Sequence, residues 1–142
     1  MKIYLDTSFL ISLYSPDINS GTAARAMHSS KGDRLITTLG ELEVVNALGL
    51  RVFRKEVSVA QAQSSLDDFE KDLRDGVIQL RRLPEQAFDR ARQLSRQTTA
   101  HLGTRTADLL HVAAALELGV DVLYSFDKQQ RKLARAVRLK IN

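Results

Sequence analysis

Apolar positions along this chain follow two patterns, which alternate from one end of the sequence to the other. Short apolar runs such as Lys2–Asp6 and Asp121–Tyr124 predict buried strands, and segments with apolar residues three or four positions apart predict helices. Strands that alternate with helices are typical of a parallel sheet with helices on both faces. The pattern therefore predicts the α/β class, with a central parallel sheet of about four to five short strands.

Turn and cap residues divide the predicted elements. Pro16 and Gly119 each end a helix, and Ser58 has Gln61 three residues later, which is the capping-box spacing. The predicted strands are Lys2–Asp6, Arg34–Thr37, Val77–Arg81, Asp121–Tyr124 and Leu139–Ile141. The predicted helices are Ser8–Tyr14, Ser20–Ser30, Gly40–Lys55, one that begins at Ser58 and ends near Gly76, Pro84–Gln97, Thr106–Leu118 and Lys128–Val137.

The composition narrows the possible functions. The 142 residues are the length of one domain, and we expect a single domain over residues 1–142. There is no cysteine, which excludes disulfides, zinc–thiolate sites and cysteine nucleophiles, and the net charge of +4 suggests a polyanionic partner. No apolar run approaches the ~20 residues of a membrane span, and Asp6 interrupts the first apolar stretch. We therefore expect a soluble cytoplasmic protein that does not act at a membrane.

Four acidic residues stand out because their neighbours are apolar, where a charge is costly unless it is paired or bound to a metal. Asp6 is the last residue of the first predicted strand and Asp127 comes just after the strand Asp121–Tyr124, at the sheet edge where α/β proteins bind ligands. Glu43 and Asp108 lie near the starts of predicted helices. Each also has a purely structural interpretation, as a helix N-cap for the first two or as an acid stabilised by a helix dipole for the others.

Together, four carboxylates would repel one another strongly unless cations neutralised them. Carboxylate oxygens are the ligands that Mg²⁺ and Mn²⁺ prefer in proteins. Two such ions about 4 Å apart would activate water and stabilise the leaving oxygen of a phosphodiester. His111 follows Asp108 by three residues and could join such a site, but we expect it to be an ordinary buried histidine.

Four segments, in this order, resemble those of the PIN-domain ribonucleases, and specifically the VapC-type toxins of bacterial toxin–antitoxin pairs. They are Leu5–Leu10, Glu43–Leu48, Arg105–Ala115 and Ser125–Asp127, and the resemblance extends from residue 1 to about residue 137. It implies a PIN-like fold and a metal-dependent endoribonuclease with Mg²⁺ or Mn²⁺ as cofactor. It also implies RNA as substrate, a small VapB-like antitoxin as partner, and a homodimer.

The resemblance further implies roles for individual residues. The catalytic acids would be Asp6, Glu43, Asp108 and Asp127, with Asp6 and Asp108 as the main metal ligands and Asp127 binding a second ion or positioning water. Glu41 competes with Glu43 for the second position, and we favour Glu43 because an asparagine follows it by three residues, as in the family. The small polar residues around these acids would be Thr7, Ser8, Asn46 and Ser125.

Basic residues near the proposed acids are candidates for binding the RNA backbone. Arg105 precedes the helix of Asp108 and is the best single candidate, and Lys128 and Arg131 follow Asp127. Each of them could instead belong to a solvated basic surface. Similarly, the apolar residues at helical spacing from Val59 to Leu73 could bind the antitoxin or could pack within the chain.

Two other functions agree with parts of the pattern. A PIN-like module could bind nucleic acid without cleaving it. Alternatively, Asp6 could be the nucleophile of an aspartyl phosphatase, although such enzymes usually carry a second aspartate two residues later, where this chain has Ser8.

Overall fold

Five short strands form one parallel sheet in a computed structural model that describes all 142 residues. The order of strands across the sheet is β3-β2-β1-β4-β5, so β1 is central and its carboxyl end lies beside that of β4. This confirms the predicted fold class and strand number. The strands are β1 (Lys2–Leu5), β2 (Asp33–Thr37), β3 (Gln79–Arg81), β4 (Val122–Tyr124) and β5 (Lys140–Ile141).

Seven helices cover the two faces of this sheet. Alternate residues of β1 point to opposite faces, so Tyr4 packs with one hydrophobic cluster while Ile3 and Leu5 pack with the other. The Tyr4 cluster is built from α5, α6 and α7, and the second cluster from α1 to α4. The helices are α1 (Thr7–Tyr14), α2 (Ser20–Ser29), α3 (Thr38–Phe53), α4 (Val59–Arg74), α5 (Gln86–Leu102), α6 (Thr106–Glu117) and α7 (Lys128–Ala136).

The predicted elements are all present, and most of their ends agree within two residues. The clearest error concerns α5, which was predicted to end near Gln97 and continues to Leu102. Its buried face extends past the predicted end because Leu94 is followed one turn later by the buried Thr98. Gly103 then ends the helix in the left-handed conformation, with φ of 65°.

Helix α4 begins as the capping-box spacing predicted. The Ser58 side chain accepts a hydrogen bond from the Gln61 backbone N–H at 3.0 Å, and the Gln61 side chain accepts one from the Ser58 N–H at 2.8 Å. Along the apolar stripe of this helix, Phe69 is buried and Leu66 packs against the same cluster, whereas Val59 is exposed. The stripe therefore packs mainly within the chain.

None of the helices is long and apolar enough to span a bilayer.

Candidate active site

The four acidic residues predicted from the sequence line a single cavity of about 690 Å³. Asp6 follows β1 and caps α1, and Asp127 follows β4 and caps α7. Asp108 lies in the first turn of α6, and Glu43 in the second turn of α3. Because β1 and β4 are parallel neighbours, their carboxyl ends open at the same edge of the sheet, and the acids that follow them face the same space.

Asp6 is the most deeply buried of these acids, with 3% of its surface exposed. Its Oδ1 accepts hydrogen bonds from the Ser8 hydroxyl at 2.7 Å and from the Phe9 backbone N–H at 3.0 Å. Burial nevertheless raises the pKa of the carboxyl, because the loss of water outweighs these hydrogen bonds. Asp6 is therefore both the N-cap of α1 and a residue of the cavity lining. Its buried negative charge favours a nearby cation.

Glu43 is fixed by a chain of buried hydrogen bonds. Its Oε1 accepts from the Thr7 hydroxyl at 2.7 Å and lies in close contact with Nε2 of His111. On the other side of the imidazole, Nδ1 lies 2.7 Å from the Tyr4 hydroxyl, which is 3.2 Å from the hydroxyl of Thr37. A neutral His111 protonated at Nε2 satisfies this chain, with Thr37 donating to Tyr4, Tyr4 to His111, and His111 to Glu43.

Burial and these hydrogen bonds shift the pKa values of Glu43 and Tyr4. Burial opposes ionisation of Glu43, but its hydrogen bonds from His111 and Thr7 outweigh burial and lower the pKa of the carboxyl. Burial also raises the pKa of Tyr4, so its hydroxyl keeps its proton. His111 is buried and fully hydrogen-bonded, as expected, but one of its partners is a site carboxylate rather than an ordinary core group.

Arg105 lies between the remaining two acids. Its Nε is 3.2 Å from Oδ2 of Asp108, and its Nη2 is 3.3 Å from Oδ2 of Asp127. The ion pair with Asp108, and after it the charge of Asp127, raises the pKa of Arg105. The guanidinium thus supplies positive charge to two carboxylates of the cavity, although about 70% of the side chain remains exposed.

The positions and the chemistry of these acids decide whether the cavity fits a divalent metal. No three Asp, Glu or His side chains lie close enough together in this arrangement to hold an ion. The chemistry of the donor set nonetheless fits a hard cation such as Mg²⁺ or Mn²⁺, because four carboxylates face one cavity and burial raises the pKa of Asp6.

Three of the four small polar residues predicted for this site contact it. Thr7 binds Glu43, and the Ser8 hydroxyl both donates to Asp6 and accepts from the Phe126 backbone N–H at 2.9 Å. Ser125 accepts from the backbone N–H of Asp127 at 3.0 Å. Asn46 is exposed, makes no side-chain hydrogen bond and is not among the residues that line the cavity, so its predicted role stays a prediction.

The competing acid, Glu41, lies outside the cavity, which Glu43 lines.

The basic residues divide into three groups. Arg105 lines the cavity, whereas Lys128 is exposed and lies outside it. Arg131 also lies outside, because its guanidinium donates to the Ser125 carbonyl at 2.9 Å and to the C-terminal residue. The cavity instead adds Arg51 from the last turn of α3 and Arg54, which caps the C-terminal end of that helix. Of these two, Arg54 makes no ion pair or side-chain hydrogen bond.

Two functional candidates were missed in the sequence. Tyr4 belongs to the apolar run of β1, so nothing local distinguishes it from a core tyrosine. Gln130 lines the cavity from the first turn of α7 with 1% of its surface exposed, although its sequence neighbours are polar and suggest a surface position. A buried glutamine in a basic helix can be recognised only once the packing of that helix is known.

Comparisons with known proteins agree with this architecture. The family model of the PIN domain matches residues 3–136. A solved structure of VapC20 from Mycobacterium tuberculosis, described as a sarcin–ricin loop cleaving toxin, is similar with a TM-score of 0.64 and 19% identity, over 92% of this chain and 93% of that one. VapBC2 of Rickettsia felis, bound to a promoter DNA fragment, is similar with a TM-score of 0.68 and 18% identity, over 100% and 98% of the two chains.

DNA-bound VapBC of Salmonella typhimurium is similar with a TM-score of 0.68 and 17% identity, over 100% of this chain and 97% of that one. At this level of identity, the solved structures establish a shared fold. A comparison with curated proteins finds no significant sequence match.

Proposed function

The chain belongs to the PIN-domain family, a family of nucleases, and we propose that it is a metal-dependent endoribonuclease, the toxin of a toxin–antitoxin pair. The observation that carries the proposal is the cavity at the carboxyl edge of the sheet, which is lined by all four acids Asp6, Glu43, Asp108 and Asp127. A cavity lined by this many carboxylates favours cations, and a basic chain favours a polyanionic substrate.

Asp6 and Asp108 would be the main ligands of Mg²⁺ or Mn²⁺, with Asp127 as a further ligand. When bound, such an ion activates water and stabilises the oxygen that leaves the phosphodiester. The chain's own residues prepare the site for this chemistry. Ser8 holds the Asp6 carboxylate in place through Oδ1, and the Thr7 and His111 hydrogen bonds keep Glu43 ionised and fixed in orientation.

In this proposal, Arg105 binds either the site carboxylates or an RNA phosphate. Its guanidinium contacts Asp108 and Asp127, the acids assigned to the metal, and most of the side chain is exposed and free to turn. Once cations neutralise these acids, the same guanidinium becomes available for an RNA phosphate, which it can bind through two parallel hydrogen bonds. Arg54, which has no protein partner at the rim, would bind the backbone further along.

The toxin assignment draws on the similar structures, which include a toxin that cleaves the sarcin–ricin loop and complexes of the VapBC type. We therefore assign a small VapB-like antitoxin as the partner, a homodimer as the assembly and the cytoplasm as the location. An exposed apolar surface on α3 and the start of α4 offers a place for the antitoxin. It consists of Leu42, Val45, Phe53 and Val59, which are between 46% and 83% exposed.

Cleavage of RNA by the purified protein tests the proposal. We expect cleavage with Mn²⁺ or Mg²⁺ that EDTA stops and that Asp6→Asn or Asp108→Asn lowers by at least about a hundredfold. The matched control is Asp68→Asn, which changes an exposed carboxylate of α4 and should cleave as the wild type does. Wild-type protein that binds RNA but remains inert with every divalent ion would instead support a nucleic-acid-binding module.

Sequencing the RNA ends produced after induction in cells would then identify the substrate.

A further inference from the structure

Gln130 is the one residue with buried side-chain polar atoms that lack hydrogen-bond partners. Neither its Nε2 nor its Oε1 has a partner, although only 1% of the residue is exposed. A side-chain amide offers two donor hydrogens and an acceptor oxygen, and burying them unpaired lowers stability. Folded proteins rarely leave such groups unpaired, so this glutamine requires an explanation.

Loose packing does not supply that explanation, because every other fully buried side-chain polar atom has a hydrogen-bond partner. Thr98 donates to the Leu94 carbonyl at 2.7 Å, and His111 is bonded through both ring nitrogens. The backbone of Gln130 is equally well fixed, since its N–H donates to Oδ1 of Asp127 at 3.0 Å. Only the amide end is unpaired, and Gln130 lines the acidic cavity.

The unpaired groups identify the chemistry of the missing partner. Nε2 needs an acceptor and Oε1 needs a donor, so the simplest single partner is a group that both accepts and donates. Phosphate oxygens only accept, and ammonium or guanidinium groups only donate. A hydroxyl group does both, and the ribose 2′-hydroxyl is the group through which proteins distinguish RNA from DNA.

We propose that the Gln130 amide binds a ribose 2′-hydroxyl of the RNA in the acidic cavity and so favours RNA over DNA. This inference rests on the proposed function. The amide reaches the substrate by rotation about its three side-chain bonds, and the buried position holds it by no hydrogen bond that rotation would break. A neutral amide also suits this place, because it binds a hydroxyl without adding charge to a cavity that five carboxylates already line.

The first test measures thermal stability. Gln130→Met keeps the length of an unbranched side chain and removes both polar groups. We expect a melting temperature equal to or higher than that of the wild type, because the substitution removes an amide that is buried without hydrogen-bond partners. Gln129→Met, an exposed neighbour on the same helix, is the control and should melt as the wild type does. A clear fall in the melting temperature of Gln130→Met alone would overturn the inference, since the amide would then be bonded within the fold.

The second test measures binding by fluorescence anisotropy in Mn²⁺, with labelled 12-nucleotide RNA of random sequence and DNA of the same design. Every protein in this test carries Asp6→Asn to prevent cleavage. We expect Gln130→Met to lose about three- to tenfold in affinity for RNA, the value of one hydrogen-bonded group, and to bind DNA as the wild type does. Gln129→Met should leave both affinities unchanged.

Equal losses on RNA and DNA would overturn the inference, because the partner would then be a water molecule or another group common to both probes. If the wild type binds RNA and DNA equally and Gln130→Met changes neither, the inference is likewise wrong. The proposed function fails separately, if the wild-type protein neither binds RNA nor cleaves it with Mn²⁺.

Discussion

Asp6 shows how one side chain can serve both the fold and the site. Its Oδ1 caps α1 through the Phe9 N–H, so a short polar acceptor is required there for structural reasons alone. Asparagine would cap the helix as well, yet the chain carries a carboxylate whose pKa is raised by burial. A charge placed where it lowers stability indicates a function that needs it.

Asp6→Asn should therefore abolish cleavage in Mn²⁺. In EDTA at pH 7, the same substitution should raise the free energy of unfolding by about 1–2 kcal/mol. The pKa of Asp6 in the folded state lies above its unfolded value of about 3.9, so the folded state binds the carboxyl proton more tightly than the unfolded state does. The ionised carboxylate therefore destabilises the folded wild type at neutral pH. The stability difference should be largest at neutral pH, narrow as the pH falls through the folded pKa, and vanish below about 3.9. Urea unfolding across this range measures it.

Asp127→Asn is the control, since Asp127 also caps a helix but is only half-buried and loses an ion pair on substitution. It should be no more stable than the wild type. A less stable Asp6→Asn would contradict the prediction.

Arg105 competes with metal ions for the carboxylates it contacts. Arg105→Ala should bind Mn²⁺ up to about fivefold more tightly in calorimetry without RNA, because an exposed ion pair contributes at most about 1 kcal/mol. Arg92→Ala, which removes an exposed ion pair with Asp89 outside the cavity, should leave the affinity for Mn²⁺ unchanged. Weaker binding of Mn²⁺ by Arg105→Ala would show that the guanidinium does not occupy the metal's place.

Tyr4 is a core residue whose hydroxyl is connected to the site through His111. Tyr4→Phe should lower the free energy of unfolding by about 1–2 kcal/mol and also reduce cleavage, since its hydroxyl bonds His111, which orients Glu43. Tyr14→Phe is the matched control, because the Tyr14 hydroxyl donates to Asp72 at 2.6 Å outside the cavity. It should lose stability and keep its activity. Equal activities of the two variants would argue against a role for the Tyr4–His111 pair.

The acids and their supporting side chains differ in how well the sequence predicts them. Asp6 and Asp108 are conspicuous because apolar neighbours surround a charge. Tyr4 is inconspicuous, since its function depends on a bond to His111, 107 positions away. Hydrophobic patterns along the sequence indicate which residues are buried. They do not indicate that Tyr4 bonds His111, because that contact depends on how β1 and α6 pack.

At the scale of elements, hydrophobic periodicity predicted every helix and strand, because each element has one face or stripe that must be buried. The ends were less well predicted where the signal is a backbone conformation. The place where α5 ends is set by the positive φ of Gly103, and the presence of a glycine in the sequence does not by itself indicate that conformation. Gly49, by contrast, lies within α3 without ending it.

These two glycines allow a matched test of that argument. Neither has another atom within 4 Å of the place where a Cβ would stand, so alanine fits both sites and only the backbone differs. Gly103→Ala should destabilise the protein by about 1 kcal/mol because of its φ of 65°, and Gly49→Ala should stabilise it by about 0.5–1 kcal/mol. Thermal unfolding measures both, and changes of the same sign would contradict the explanation.

At the scale of the whole molecule, the net charge of +4 conceals a concentration of charges of both signs in one cavity. Five carboxylates, the four site acids and Asp17, line this cavity together with Arg51, Arg54 and Arg105. Arg51 is paired with Asp17 at 3.3 Å and Arg105 with two site acids, so Arg54 is the arginine of this group that is free to meet an incoming phosphate. The electrostatic contribution to RNA binding should therefore depend on Arg54 more than on its neighbours.

Arg54→Ala should weaken RNA binding at low salt and reduce the slope of log affinity against log salt concentration by about 0.7, the value for one phosphate contact on a single strand. Arg74→Ala removes the same charge from the exposed end of α4, outside the cavity, and is the matched control. If the binding surface is the cavity rim, the slope changes only for Arg54→Ala. If RNA binds through net charge alone, both variants lose affinity equally, and the rim has no special part in binding.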